Sequence, residues 1–174
     1  MSYNVSLRTK AAAEWERRKR ARRRDFYEFV DAANKRYRWH TANRVLANVL
    51  QQVADDELKR VMVMMHPRSG KSEEVSRLFS AYYLYRHPER WVGLTSYGAE
   101  LAYTLSRNAR QNFARAGGDV RGDAAAVKHW ETTAGGGMWA AGVGGPILGK
   151  GYHLGIIDDP IKNAEDAASE TIRD

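Results

Sequence analysis

Arg60-Val-Met-Val-Met-Met-His-Pro-Arg-Ser-Gly-Lys-Ser-Glu73 is the stretch on which the fold turns. Val61 to Met65 is a short continuous apolar run, the pattern of a strand buried on both faces of a parallel sheet. The run breaks at Pro67. Beyond Gly70-Lys71-Ser72, residues Val75, Leu78, Phe79, Tyr82 and Leu84 fall at helical spacing. Strand, short loop, Gly-Lys-Ser and helix together give the layout of a phosphate-binding P-loop. The order of the residues suits the chemistry. Backbone N–H groups and a helix N-terminus gather around an anion, Lys71 adds a point charge for the β- and γ-phosphates, and the Ser72 hydroxyl is a ligand for Mg²⁺. Pro67, Arg68, Ser69, Gly70, Lys71, Ser72 and Glu73 are thus the candidate ATP-phosphate contacts. The loop departs from the usual G-x-x-x-x-G-K-[ST], because Met65 occupies the place of the first glycine.

A second stretch, Leu154-Gly-Ile-Ile-Asp-Asp-Pro160, supplies what such a loop requires. It reads as an apolar strand ending in two carboxylates and a chain-breaking proline. Asp158 is the candidate for the Mg²⁺ shell, and Asp159 the candidate to orient or deprotonate an attacking water. Asp159 is one methylene shorter than the glutamate commoner at that place, which leaves Glu73 as an alternative for the water.

Five stretches in order resemble the ATPase domain of the large terminase subunit, the DNA-packaging motor of tailed bacteriophages. They are Trp39-His40-Thr-Ala-Asn43; Pro67 to Glu73; Leu94-Thr-Ser-Tyr97 with Leu101-Ala102; Gly142-Val-Gly-Gly145 with Gly149-Lys-Gly151; and Ile156 to Lys162 with Ala167, Ser169 and Arg173. The resemblance implies an adenine site at Trp39, His40 and Asn43, where the alternative is that Trp39 is core and Asn43 a helix-surface residue. It implies ATP and Mg²⁺ as cofactors, with double-stranded DNA, a portal protein and a small terminase subunit as partners. A homo-oligomeric ring on the procapsid, in the host cell cytoplasm, is also implied. Two residues compete for the basic group that completes a phosphoryl-transfer site: Arg68 within the loop, acting in cis, and Lys150, in a turn that could reach a neighbouring subunit. In that family a coupling motif and a ribonuclease-H-like nuclease domain follow, and neither is expected within these 174 residues.

Composition agrees with one domain, at 174 residues and 43% hydrophobic. The absence of cysteine excludes disulfides and thiolate metal sites. The five histidines show no pair at helical ligand spacing, so a zinc site is not expected. No apolar run approaches membrane-spanning length. The net charge of +7 belongs to residues 1–38, which hold twelve Lys or Arg against five Asp or Glu, leaving sixteen of each in the remainder. Ala11 to Arg24 reads as a basic helix. It is a solvated segment, a DNA-phosphate contact or a dock for an acidic partner.

Phe26, Phe29, Val30, Ala33 and Tyr37 predict a helix packed on the core, and Arg44 to Val53 a second. Trp91 to Tyr97 predicts a strand and Ala99 to Ala116 a long helix stopped at Gly117-Gly118. Lys128 to Thr133 and Gly137 to Gly142 predict a two-stranded excursion turning at Gly135-Gly136, and Asn163 to Arg173 a last helix. The fold expected is α/β: a P-loop NTPase with a mostly parallel sheet, helices on both faces, an N-terminal helical arm over 1–38 and an ATPase core over 39–174. The alternatives in function are a helicase-like DNA-dependent ATPase and a fragment that binds nucleotide without turning it over.

Overall fold

The computed structural model describes residues 24–145 and 151–161. Residues 11–23 of the basic helix read over Ala11 to Arg24, the candidate Lys150, and the helix read over Asn163 to Arg173 lie outside the described residues.

Helix α1 (Phe26–Ala33) starts at Asp25, whose carboxylate accepts the Glu28 N–H at 2.8 Å, and it buries Phe26, Phe29, Val30 and Ala33. This cap satisfies one of the N–H groups that a helix start leaves unpaired. Helix α2 (Thr41–Ala54) turns Asn43, Leu46, Ala47, Leu50 and Ala54 inward, the i, i+3, i+4 stripe of a helix with one covered face. After the loop at residues 66–70 the chain enters a π-helical run, Glu73–Phe79, which continues into α3 (Ser80–Arg86). Strand β1 (Trp91–Ser96) leads to α4 (Ala99–Arg115). The end of α4 is set by Gly117 at φ +95°. There the Gly118 N–H returns to the Phe113 carbonyl and the Gly117 N–H to that of Ala114, the paired bonds by which a glycine closes a helix. Strands β2 (Val120–Ala125), β3 (His129–Thr132), β4 (Gly137–Gly142) and β5 (Leu154–Asp158) complete the described chain.

The five strands form one open sheet in the order β2-β3-β4-β1-β5. β1 runs parallel to both β4 and β5, whereas β2–β3 and β3–β4 are antiparallel. The sheet is therefore mixed rather than mostly parallel. The cause is local: the connections from β2 to β3 and from β3 to β4 are too short for a crossover and permit only hairpins. β2 escaped the sequence pattern because Val-Arg-Gly-Asp-Ala-Ala has no apolar alternation. It is a charged edge strand, on which Arg121 pairs with Asp123 and Glu131.

The described helices form one connected group against the sheet: α1 and the π-helical run each touch all the others, and α3 touches α4. Beneath them lie Val92, Leu94, Trp130, Met138, Ala140 and Ile156, which share one face by register and belong to one core cluster. Helices on both faces were expected, but among the described residues the other face carries none. It bears instead the stacked rings of Trp91, His129 and Trp139, with 3.7 Å between the His129 and Trp139 centroids. The Tyr152 ring lies over Gly93 and Gly155 of adjacent strands.

The largest departure concerns Val61 to Met65. This run belongs to no strand, and it is not buried on both faces. Met62 and Met64 are 84% and 85% exposed, while Val63 and Met65 pack against the core. Apolarity alone does not make a strand; backbone N–H and C=O groups also need a partner in register. Among the described residues β5 pairs only with β1, and a cavity of about 350 Å³ is lined by both β5 and the 59–63 segment. The stretch that gave the fold its reading thus runs beside the sheet instead of within it.

The turn between β3 and β4 is held tightly. A Cβ on Gly136 would collide with the carbonyls of Arg90 and Pro88, whereas one on Gly122 would meet nothing within 4 Å. Gly136→Ala should therefore cost roughly 1–3 kcal/mol of stability through forced backbone shifts, and Gly122→Ala should be neutral or slightly stabilising. Urea denaturation of the two variants checks this, and equal midpoints would contradict it.

Candidate functional site

The site is built where the loop at residues 66–70 meets the end of β5. The Ser69 N–H donates to the His66 carbonyl at 3.2 Å, and the Glu74 N–H donates to the Gly70 carbonyl at 2.9 Å to start the helix. The N–H groups of Lys71, Ser72 and Glu73 precede that first helical bond and have no acceptor within the helix. Two loop residues are left-handed, Gly70 at φ +87° and Arg68 at φ +63°. Glycine takes that conformation freely, but for Arg68 it costs on the order of 1–2 kcal/mol. The chain thus holds Arg68 in a strained, exposed position.

Asp158 closes β5 and is 5% exposed. Its Oδ1 accepts from the Ser72 hydroxyl at 3.1 Å and its Oδ2 from the Ser76 hydroxyl at 2.9 Å. Ser72 and Ser76 are four residues apart, so they share one side of the helix that leaves the loop. Neighbouring residues of a strand point to opposite faces. At Asp159 the backbone turns to φ +45°, taking this residue out of the strand, so both carboxylates meet the same loop. Asp159 Oδ1 lies 2.7 Å from Lys71 Nζ, with the Asp159 side chain 55% exposed. A pair so open to water contributes about 0–1 kcal/mol. It places the lysine more than it stabilises the fold.

A buried network supports the loop from behind. Glu74 is wholly buried. Its Oε2 accepts from Asn43 Nδ2 at 2.7 Å and from the Tyr37 hydroxyl at 3.1 Å. Asn43 Nδ2 also donates to the Ser69 carbonyl at 3.2 Å. With a carboxylate and a carbonyl in front of it, that side-chain atom must be the nitrogen. Burial pushes the Glu74 carboxyl up to about 6, opposed by the bonds from Asn43 and Tyr37. The Tyr37 hydroxyl is raised as well, first by burial and then by the Glu74 charge.

Of the residues singled out by sequence, the structure brings Lys71, Ser72, Asp158 and Asp159 together. Asn43 stands directly behind the loop, buried rather than on a helix surface. Trp39 sits among the rings of Phe26, Tyr27 and Tyr37, with centroids 6.3, 4.6 and 4.8 Å away. His40 is exposed at the start of α2. Pro67 and Arg68 are exposed on the loop, and the Glu73 carboxylate is turned to Arg77 at 2.6 Å. Lys150 lies outside the described residues. Sequence reasoning passed over Ser76, Glu74 and Tyr37. The i, i+4 spacing of Ser72 and Ser76 was the available signal for the first; nothing local marks Glu74 as buried.

The Ser72–Asp158 separation has a chemical meaning. Two oxygens bound at ~2.1 Å to an octahedral Mg²⁺ lie about 3 Å apart, close to the 3.1 Å found here. Among the described residues no three His, Asp or Glu side chains cluster to hold a metal. A cation at Ser72 and Asp158 would therefore complete its shell with water or with oxygens of an anionic ligand. No protein-family model, curated protein or solved structure matches the chain.

The Glu74 shift has a definite sign. Between pH 4.5 and about 6 the unfolded carboxyl has lost its proton while the folded one retains it, so stability falls as pH rises through that window. Above it the loss is constant, at about 2 kcal/mol. Glu74→Gln removes the titration. Its stability relative to wild type should therefore rise by about that amount between pH 4 and 7.5, read from denaturation curves. A relative stability unchanged across this range would contradict it.

Proposed function

We propose that this chain binds ATP and Mg²⁺ at the junction of the 66–73 loop with the end of β5 and hydrolyses the γ-phosphoryl bond. We propose further that it does so as the motor ATPase that moves double-stranded DNA into a procapsid. The observation that carries the first statement is the meeting of Lys71 with Asp159 and of Ser72 with Asp158, pairs 88 and 86 positions apart in the chain. The second is supported by the terminase resemblance of the Trp39–Asn43, Pro67–Glu73 and Ile156–Lys162 stretches.

Each group has a role on this reading. Lys71 carries the charge for the β- and γ-phosphates, and the unpaired N–H groups of Lys71, Ser72 and Glu73 complete the anion cradle. Ser72 and Asp158 would hold the metal, which when bound would neutralise charge on the phosphoryl oxygens. Asp159 is the base or water-orienting group. Arg68, strained and exposed on the loop, is the basic group in cis, and Lys150 is the candidate in trans. Phosphate must displace Asp159 from Lys71 in order to bind, which frees the carboxylate for water as the site fills. Portal, small-subunit and ring contacts follow from the resemblance alone.

Lys71→Ala should lower ATP turnover on the order of a hundredfold or more, as for a preorganised charge at a transition state. Wild-type turnover in that variant would remove the reading. Asp159→Asn should bind ATP at least as tightly as wild type, since Lys71 loses its internal partner, while hydrolysis falls. Parallel loss of binding and hydrolysis would make Asp159 a binding group. Stimulation by duplex DNA without strand separation supports the packaging motor; strand separation would replace it with a helicase-like ATPase.

A further inference from the structure

Asn43 is buried to 3% exposure, and its side-chain nitrogen donates to two acceptors inside the protein. One hydrogen goes to Glu74, the other to the carbonyl of Ser69 within the loop. The peptide joining Ser69 to Gly70 is trans, and in a trans peptide the C=O and the following N–H point in opposite directions. A hand on the Ser69 carbonyl from the protein side therefore aims the Gly70 N–H away from the protein, into the concavity of the loop. Asn43 is also seated directly behind Gly70, since a Cβ there would lie 3.6 Å from its Nδ2. Glu74 and Tyr37 in turn fix Asn43: the carboxylate accepts from both, and Tyr37 lies beyond the end of α1. The loop orientation is thus tied through three side chains to the helix layer.

We infer that Asn43 is a positioning residue that holds the Ser69–Gly70 peptide with its N–H turned toward a bound polyphosphate, rather than a contact to a nucleobase. This rests on the phosphate-binding reading of the loop and deepens it, by separating the residues that touch the anion from the one that aims them. The site accordingly recognises the polyphosphate moiety through Asn43 and is indifferent, at this residue, to the base attached to it. The buried Ser69 hydroxyl, which has no hydrogen-bond partner among the described residues, lies on the same peptide that Asn43 grips.

The test measures binding, using inorganic tripolyphosphate, ATP and GTP as probes in parallel. Asn43→Leu keeps the approximate volume and removes both bonds. In Asn43→Asp a proton shared with Glu74 leaves the Ser69 carbonyl without a donor. Either variant that retains the wild-type thermal transition should bind all three probes about tenfold more weakly, the worth of one aligned hydrogen bond to an ionic ligand. A loss confined to ATP, with tripolyphosphate unchanged, would overturn the inference and return Asn43 to the base. Unchanged affinity for every probe would overturn it equally. In the wild type the Gly70 amide resonance should move when tripolyphosphate is added, and a Gly70 amide that stays still overturns the inference without any variant. Failure of wild type to bind tripolyphosphate, or Lys71→Ala binding it as tightly as wild type, would instead strike the phosphate reading on which the inference rests.

Discussion

The site depends on one buried carboxylate held by two hydroxyls. Asp158 ends an edge strand, and it is secured there by Ser72 and Ser76 from the helix that follows the loop. A carboxylate at 5% exposure is costly unless its oxygens are hydrogen-bonded. The two serines meet that requirement, and in doing so they lock the helix start against the sheet. Everything in front of the loop follows from this lock. Lys71 lies within reach of Asp159, and the unpaired N–H groups of the first turn face the same region. The π-helical run begins at the next residue after Ser72. Such wide turns recur at functional sites, where they re-aim side chains that an α-helix would direct elsewhere.

Behind the loop a second buried carboxylate is likewise held by two neutral donors. Among the described residues the hydrogen bonds to the buried Glu74 carboxylate come from two neutral donors, Asn43 and Tyr37. Burying a carboxylate this way costs stability near neutral pH, and the same network holds the Ser69 carbonyl of the loop through Asn43. Stability given up for a defined loop shape is a common arrangement at binding sites.

Much of this was legible in the sequence, and for identifiable reasons. The Leu154–Asp158 strand, the helix over Ala99–Arg115 and the turn at Gly135-Gly136 each carry a strong local signal: an apolar run with terminal acids, a 3.6-residue stripe, a glycine pair. The pairing of Lys71-Ser72 with Asp158-Asp159 was legible because its chemistry demands complementary groups. Val61 to Met65 misled because strand formation is a property of two chains side by side, and composition reports only one. The mixed sheet was hidden in β2, whose charged residues suit an edge and not a core. Glu74 was illegible because a glutamate in a helix reads as solvent-facing until its neighbours in space, Tyr37 and Asn43 from distant positions, are known.

On the proposed function, the folded chain presents a site for a metal-bound nucleoside triphosphate. The most direct measurement is the unfolding free energy of the wild-type chain at increasing concentrations of Mg-ATP. A ligand that binds only the folded state stabilises it by an amount that grows logarithmically, reaching about 2.7 kcal/mol at a hundredfold excess over Kd. The proposed function predicts such a rise for ATP with Mg²⁺, a smaller one for ATP with the metal chelated, and little for AMP. An unfolding curve unmoved by millimolar Mg-ATP would contradict the account.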